Sequence, residues 1–230
     1  MDIISKFFLA VVIVCILALL IKKSDSLDNC GICASSIMAF IIILGAGLSW
    51  LVILLSFFIL GVLVSKMGYS TKKKMGLAES RRTIRNVLAN GLVPLLFVIM
   101  YCFGFKLALF GYIGSIAAAT SDTFSSELGV LSKETPRLIT TLKKVEKGTD
   151  GGITFFGTFM GLLGAFLIGV VSYLLFKSPD LIWIATISGI LGNLADSLCG
   201  AVFERRGIMN KEHVNFIATL VGGICGLLLA

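Results

Sequence analysis

The feature that most constrains this sequence is a series of long apolar runs that contain almost no charge. Most are roughly 17 to 24 residues long, and about 20 apolar residues in a helix cross the hydrocarbon core of a bilayer. Only 14% of the residues are charged, whereas soluble domains have about 25%. A soluble single domain is therefore excluded, and the sequence predicts an all-α, polytopic transmembrane helix bundle. The apolar stretches are residues 3–21, 32–48, 51–65, 87–105, 107–120, 153–176, 181–202 and 214–229.

These stretches predict about eight spans, with seven possible, and the charges favour eight. Four segments, residues 22–30, 66–85, 122–150 and 196–212, hold 28 of the 33 charged residues and 17 of the 20 basic ones. With eight spans, all four segments fall on one side of the membrane. Basic loops stay in the cytosol, so both termini are predicted to lie outside a multi-pass protein of the cell membrane.

The whole chain, residues 1–230, is predicted to be one integral membrane domain. Residues 1–65 form N-terminal spans of unclear role, and residues 81–215 contain the motifs and are expected to be the catalytic core. The net charge of +7 belongs to loops rather than to a basic face interleaved with aromatic residues, so a nucleic-acid partner is not expected. The single CxxC, Cys30 to Cys33, is a weak zinc signal.

Polar residues at membrane depth are costly and usually functional, and three sets of them stand at the predicted cytosolic ends of spans. The first is Arg82, Asn86 and Asn90, spaced to share one helix face. The second closes the fifth span and continues through a basic run into a glycine-rich turn before the sixth. The third lies on one face of the seventh span. The second and third sets are Asp122, Glu127, Arg137, Lys143, Lys144, Thr149, Asp150, Gly151 and Gly152, then Asn193, Asp196, Gly200 and Glu204.

Carboxylates, a basic run and a glycine turn on one side of the membrane fit a site for a metal ion and a nucleotide. Mg²⁺ is usually held by one or two carboxylates together with phosphate oxygens. No GxxxxGK[ST] P-loop and no kinase HRD or DFG motif is present, so such a site would belong to a different fold. Because His213 is the only histidine, histidine-based catalysis is not expected.

Five ordered motifs resemble the phytyl-phosphate kinase family, which includes eukaryotic transmembrane protein 19 and prokaryotic homologues. They are Arg82-Thr-Ile-Arg-Asn-Val-Leu-Ala-Asn90-Gly, Ser121-Asp-Thr-Phe-Ser-Ser-Glu127-Leu-Gly, Pro136-Arg137-Leu-Ile-Thr-Thr, Lys147-Gly-Thr-Asp-Gly-Gly152 and Asp196-Ser-Leu-Cys-Gly-Ala201. The resemblance implies CTP-dependent phosphorylation of an isoprenoid monophosphate (phytyl, geranylgeranyl or farnesyl phosphate) to the diphosphate.

On this resemblance, each polar set receives a role. Asp122 and Asp196 are expected to bind Mg²⁺, with Glu127 as a third ligand or as a neighbour of the ligands. The expected contacts to the nucleotide and its phosphates are Arg137, Lys143, Lys144, Thr149, Asp150, Gly151 and Gly152. The expected contacts to the lipid phosphate are Arg82, Asn86, Asn90 and Asn193, with the isoprenoid tail lying between spans in the lipid bilayer.

Three alternatives stay open at this point. A lipid cytidylyltransferase would use the same CTP but release pyrophosphate and a CDP-lipid. A polyprenol kinase would act on a free alcohol and would need a general base, for which Asp122 or Asp196 would have to serve. An ion-coupled transporter would carry ions on the same two carboxylates, but it needs them accessible from both sides, and here they cluster near one.

Overall fold

A computed structural model of the chain describes residues 3–78 and 81–230. Over these residues the chain folds into a helical bundle, which confirms the predicted all-α class. The helices are α1 (Ile3–Ser24), α2 (Asn29–Gly45), α3 (Leu48–Lys66), α4 (Tyr69–Lys74), α5 (Ile84–Cys102), α6 (Ala108–Gly129), α7 (Phe155–Phe176), α8 (Asp180–Val202) and α9 (Lys211–Leu228).

Eight of these helices are long, and each coincides with one of the eight apolar stretches in the sequence. By length and composition, α1, α3, α5, α7 and α8 are able to cross a membrane, and α2 is a shorter apolar helix. The number of long helices therefore agrees roughly with the predicted eight spans. The short helix α4 was not anticipated, because its sequence Tyr-Ser-Thr-Lys-Lys-Lys reads as part of a charged loop.

Helix α6 occupies the centre of the bundle and packs against α3, α5, α7, α8 and α9. Every residue from Gly111 to Ser121 is buried. Small residues make this possible, because they allow helix backbones to approach closely. A Cβ on Gly114, for example, would lie only 2.4 Å from the carbonyl oxygen of Gly222 in α9. By contrast, α1 lies at the edge and packs mainly on α2.

The four charged segments meet at one end of the bundle, as the eight-span arrangement requires, and residues of the last three, such as Lys72, Asp122 and Asp196, surround one space there. Leu27, between α1 and α2, forms a backbone bridge with Arg82, just before α5. Lys72 of α4 pairs with Glu127 near the end of α6, and Lys147 contacts the carbonyl oxygen of Ser132 beyond that end. We refer to this as the charged end; its position in the cytosol stays a prediction.

Between α6 and α7 the chain forms a small antiparallel hairpin of β1 (Arg137–Leu138) and β2 (Gly152–Ile153). Arg137 pairs with Ile153, and Leu138 pairs with Gly152. The sequence indicated only a charged loop here, because two-residue strands leave no periodic pattern to detect. The hairpin brings the start and finish of the loop together, which places the glycine-rich turn beside α7. The assignment of residues 81–215 as the catalytic core stays a prediction.

Labelling of introduced cysteines tests the predicted orientation. Cysteines replacing Lys73 and Lys144 should react with a membrane-impermeant maleimide only after the cell is opened, because basic loops remain in the cytosol. A cysteine replacing Ser178, between α7 and α8 at the opposite end, should react in intact cells. Labelling of Lys73→Cys and Lys144→Cys from opposite faces would contradict the shared charged end.

Candidate active site

A polar cavity opens at the charged end between α6, α7, α8, α9 and the glycine-rich turn. It encloses about 1250 Å³, including its open mouth. Among the described residues of its wall, the charged ones are Lys72, Asp122, Glu127, Asp150, Asp196, Glu204 and Lys211. We call it the carboxylate cavity. It therefore unites residues from the second and third polar sets, which are about 70 positions apart in the sequence.

The carboxyl groups of Asp122 and Asp196 form the centre of this cavity. Each lies near the C-terminal end of its helix, α6 or α8, and the two face each other within hydrogen-bonding reach. Atom Oδ1 of Asp196 is buried and has no hydrogen-bond partner among the described residues. Two carboxylates this close repel each other unless they share a proton or a cation. A buried oxygen without a partner calls for an explanation of its own, such as an ordered water molecule or an ion.

Glu204 interacts electrostatically with both aspartates and also with Asp150, and Lys211 of α9 offsets part of the negative charge. Within residues 3–78 and 81–230, no group of three or more His, Cys, Asp or Glu side chains is arranged to hold a metal ion. Two carboxylates are nevertheless sufficient for Mg²⁺ when phosphate oxygens complete its coordination. The residues present therefore fit a magnesium ion that is bound together with a phosphate compound.

Glu127 does not join the two aspartates. Its Oε2 lies 2.5 Å from Nζ of Lys72, and its Oε1 accepts a hydrogen bond from Ser65 Oγ at 3.0 Å. Lys72 is only 1% exposed, so the pair is largely shielded from water. Glu127 was expected to be either a third ligand of Mg²⁺ or a neighbour of the ligands, and its contacts favour the second role, because five residues of helix turn its carboxylate away from Asp122 and towards α3 and α4.

Asn193, expected near the lipid phosphate, lies in the carboxylate cavity one turn before Asp196. It is buried, and its Oδ1 accepts a hydrogen bond from Ser125 Oγ at 3.3 Å. Gly161 of α7 makes room for its amide, since a Cβ there would lie 2.6 Å from Asn193 Nδ2. The structure therefore joins Asn193 to Asp122 and Asp196 rather than to the Arg82 stripe.

The glycine-rich turn forms one wall of the cavity and rests directly on α8. Gly151 has a φ of +71°, and a Cβ there would lie 2.5 Å from Ala201 N and 2.6 Å from Ser197 O. Thr149, Asp150 and Gly152 line the cavity beside it. At the start of α7, the carboxylate of Glu134 accepts hydrogen bonds from Phe155 N and Phe156 N, so these two backbone N–H groups are already occupied.

Replacing Gly151 by alanine should destabilise the protein more than the same change at Gly207. Both glycines have φ near +70°, and that conformation costs a non-glycine residue about 1–2 kcal/mol. Only at Gly151 does the new Cβ also collide with backbone, because nothing lies within 4 Å of a Cβ at Gly207. Thermal unfolding in detergent should show a lower midpoint for Gly151→Ala than for Gly207→Ala. Equal midpoints would show that the turn does not rest on α8.

The cations predicted for phosphate binding lie outside the described wall of the cavity. Arg137 donates from a guanidinium nitrogen to Leu142 O at 3.0 Å, and Lys143 and Lys144 are exposed on the hairpin. Their role as phosphate contacts stays a prediction. The wall instead contains Lys72 and Lys211, which the sequence did not single out. Lys211 follows Asp196 by fifteen residues, across a turn, and no helical spacing connects the two.

The Arg82 stripe lines a second, separate cavity between α1, α2, α3 and α5. Asn86 accepts a hydrogen bond from Thr83 N at 2.9 Å, which caps the start of α5, and Asn90 donates to Asn86 O at 3.0 Å. The guanidinium of Arg82 lies 5.6 Å from the centre of the Phe57 ring. The three residues line the same cavity, but only Asn86 and Asn90 lie on α5, because the helix begins at Ile84 and Arg82 precedes it. The described wall of this cavity does not include Asp122 or Asp196.

The chain is similar to several known membrane proteins. The family model described as integral membrane protein DUF92 matches residues 12–223. An uncharacterized membrane protein of Methanocaldococcus jannaschii is 60% identical over 229 residues, which is 100% of this chain and 96% of that protein. No solved structure matches the chain.

Two proteins of Arabidopsis thaliana are more distant. Protein PGR is 32% identical over 90% of this chain and 82% of its own length. Protein VTE6, chloroplastic, is 28% identical over 88% of this chain, and the aligned part is 65% of its own length. Together with the family match, these two relatives confirm the resemblance drawn from the five motifs.

Proposed function

The chain belongs to the DUF92 family of integral membrane proteins, and from this premise we propose that it is a membrane-embedded phosphotransferase that works in the carboxylate cavity. The observation that carries the proposal is the pair of facing carboxyl groups, Asp122 and Asp196, with a buried Asp196 oxygen that accepts no hydrogen bond from any described residue. Such a pair at the open, charged end of a helical bundle suits a magnesium–phosphate complex.

We further propose that the phosphoryl donor is CTP and the acceptor an isoprenoid monophosphate, a choice supported by the five motifs. An oxygen of the isoprenyl phosphate attacks the γ-phosphorus of CTP, and the bond from that phosphorus to the β-phosphate oxygen breaks. The products are an isoprenyl diphosphate and CDP. Because a phosphate monoester is already mostly ionised near pH 7, the attack needs no general base. The absence of histidine from the described cavity wall is consistent with this.

The residues of the cavity would act mainly by positioning and by electrostatics, as is usual in phosphoryl transfer. Asp122 and Asp196 would hold Mg²⁺, which would neutralise charge on the transferred phosphoryl group. Lys211, at the start of α9, would lie against the phosphate oxygens and balance the carboxylates. Asn193 would fix the orientation of Asp196 or donate to a phosphate. The turn at Thr149, Asp150, Gly151 and Gly152 would close the nucleotide side.

The test is an assay of the purified protein with CTP, MgCl₂ and a panel of isoprenyl monophosphates of different length. We expect CDP and a lipid diphosphate in equal amounts. The free alcohols should be poor substrates, since they bring no anionic nucleophile and lose a charge-assisted contact that is typically worth about 1.5–3 kcal/mol. Pyrophosphate and a CDP-lipid would identify a cytidylyltransferase instead. Equal kcat/KM on geranylgeraniol and its monophosphate would place the protein among alcohol kinases.

A further inference from the structure

The wall of the carboxylate cavity contains a buried carboxamide that faces no partner in the described part of the chain. This side chain belongs to Asn215 of α9, which lines the cavity and is only 8% exposed. Over residues 3–78 and 81–230, the side chain of Asn215 makes no hydrogen bond to another residue. A buried amide without a partner is costly, so an unpaired group of this kind in a folded protein calls for an explanation.

Three helices meet one turn away from this carboxamide. A Cβ on Gly192 of α8 would lie 2.4 Å from the Cβ of Ala118 in α6 and 2.8 Å from the carbonyl oxygen of Ala218 in α9. Because these residues are small, the three backbones approach closely there. The contact therefore fixes the relative heights of α6, α8 and α9 along the axis of the bundle.

The next turn of each helix towards the charged end carries a side chain with a potential oxygen ligand. Asp122 and Asp196 each follow the contact residue of their own helix by four positions, which keeps them on the same helix face. Helix α9 runs in the opposite direction, so its corresponding residue precedes Ala218, and Asn215 does so by three positions. These steps are about 6 Å on α6 and α8 and about 4.5 Å on α9. The two carboxyl groups and the carboxamide thus lie at one depth, and all three line the carboxylate cavity.

A divalent cation between these groups explains two unsatisfied positions at once. Oδ1 of Asp196 has no hydrogen-bond partner among the described residues, and neither has the amide of Asn215. Mg²⁺ and Mn²⁺ accept both carboxylate and amide oxygens as ligands. An ordered water molecule is the competing occupant, but it does not offset the repulsion between two facing carboxyl groups.

We propose that Asn215, through its Oδ1, is the third protein ligand of the cation at Asp122 and Asp196. Helices α6, α8 and α9 then supply one ligand each. This inference rests on the proposed function, which gives the reason for a cation at the two aspartates. It also adds a consequence of its own: three protein ligands hold a divalent cation before any phosphate compound binds, so the site can be measured without CTP and without the reaction.

The test is a titration of the purified full-length protein in detergent with Mn²⁺, followed by EPR, in the absence of CTP and lipid phosphate. We expect Mn²⁺ to bind to the parent protein, to be displaced by Mg²⁺, and to bind more weakly to Asp196→Asn. Asn215→Leu should weaken Mn²⁺ binding about 10-fold or more, since even residues that only support a metal ligand contribute that much. Asn215→Asp keeps an oxygen at the same position and adds a negative charge, so it should bind Mn²⁺ at least as tightly as the parent protein.

A matched control lies one turn further along α9. Thr219 is buried like Asn215, but its hydroxyl donates to Phe216 O at 2.8 Å and it is not in the described wall of the cavity. Thr219→Val should therefore leave Mn²⁺ affinity unchanged. Unchanged affinity in Asn215→Leu would overturn the proposal. Equal losses in Asn215→Asp and Asn215→Leu would also overturn it, because the N–H group rather than the oxygen would then be the one in use.

Thermal unfolding separates a ligand from a packing residue. Without cations, Asn215→Leu should unfold at a midpoint no lower than that of the parent protein, because the change removes a buried amide without a partner. The rise in midpoint that Mn²⁺ produces should be smaller in this variant, since a ligand stabilises the folded state only as far as it binds. A lower midpoint without cations, together with an unchanged rise on adding Mn²⁺, would show that Asn215 only packs.

The outcomes also separate this inference from the proposed function. If Mn²⁺ binding follows the expected pattern but CTP yields no product, the cation site stands and the proposed reaction fails. If Asn215→Leu binds Mn²⁺ and turns over CTP like the parent protein, the reaction stands and the assignment of Asn215 fails. If the parent protein binds no Mn²⁺ without CTP, the proposal of a third ligand is overturned, and an ordered water molecule accounts for the unpaired amide.

Discussion

Asp122→Asn and Asp196→Asn should each lower kcat by at least about 10²–10³-fold, the usual cost of removing one electrostatic group that stabilises a transition state. Asparagine keeps the shape of the side chain but not the negative charge that a hard cation requires. Folding should be unaffected or improved, because the change removes repulsion between two facing carboxyl groups. The measurements are initial rates with CTP and Mg²⁺ and thermal unfolding in detergent.

The double variant Asp122→Asn/Asp196→Asn tests whether the two carboxylates hold the same ion. If Asp122 and Asp196 hold the same ion, losing both should cost little more than losing one, since residues that act as a unit are strongly non-additive. Asp180→Asn, at the opposite end of α8, is the matched control and should keep full activity. Near wild-type turnover in either single variant would show that the carboxylate concerned is structural. Fully additive losses in the double variant would show that Asp122 and Asp196 do not hold the same ion.

Lys72→Met should be the most destabilising of the substitutions considered for the charged end. Its ammonium group donates to Val64 O at 3.1 Å, Ser65 O at 2.7 Å and Glu127 at 2.5 Å. Methionine preserves the apolar stem but leaves the Glu127 carboxylate without its counter-ion. Removing one partner of a buried pair typically costs about 3–5 kcal/mol. The midpoint of unfolding in detergent should fall accordingly.

A neighbouring lysine and a double variant separate the ion pair from other effects. Lys73→Met changes an exposed residue of the same helix and should leave the midpoint nearly unchanged. Adding Glu127→Leu to Lys72→Met should restore part of the lost stability, because no unpaired charge then stays buried. If Lys72→Met is as stable as the parent protein, the Lys72–Glu127 pair is too well hydrated to stabilise the charged end as a buried ion pair would.

The bundle itself was predictable because long apolar runs force helices. Five of the eight long helices are apolar enough for membrane spans on their own, and turn residues such as Gly47 mark the breaks between them. Helix α4 and the β-hairpin were not predictable. Lys72 reads as a solvated residue in a run of three lysines, and only the tertiary position of Glu127 explains its burial. Strands of two residues are set by the loop around them rather than by any pattern.

The two central carboxylates could be predicted, but their surroundings could not. Asp122 and Asp196 stand out because a carboxylate inside an apolar helix demands a partner. Lys211 lies in the first turn of α9 among other charged residues, and its position beside Asp196 depends on how α9 crosses α6 and α8. Helical spacing placed Asn193 with Asp196, as the structure does, whereas the role taken from the resemblance grouped Asn193 with Arg82, which lies in a different cavity. Spacing reveals which residues share one helix face, not which helices that face meets.

The burial of α6 has a consequence for biosynthesis. This helix carries Asp122 and Glu127 and does not reach the apolarity of the five helices that could cross on their own. A translocon releases a helix into lipid according to its own hydrophobicity, so α6 is expected to be retained until α7, α8 and α9 have been synthesised to surround it. Insertion of α6, which carries Asp122, then coincides with the arrival of α8, which carries Asp196. In ribosome-stalled chains ending after α6, that helix should accordingly crosslink to the translocon, whereas in chains extending beyond α9 it should not.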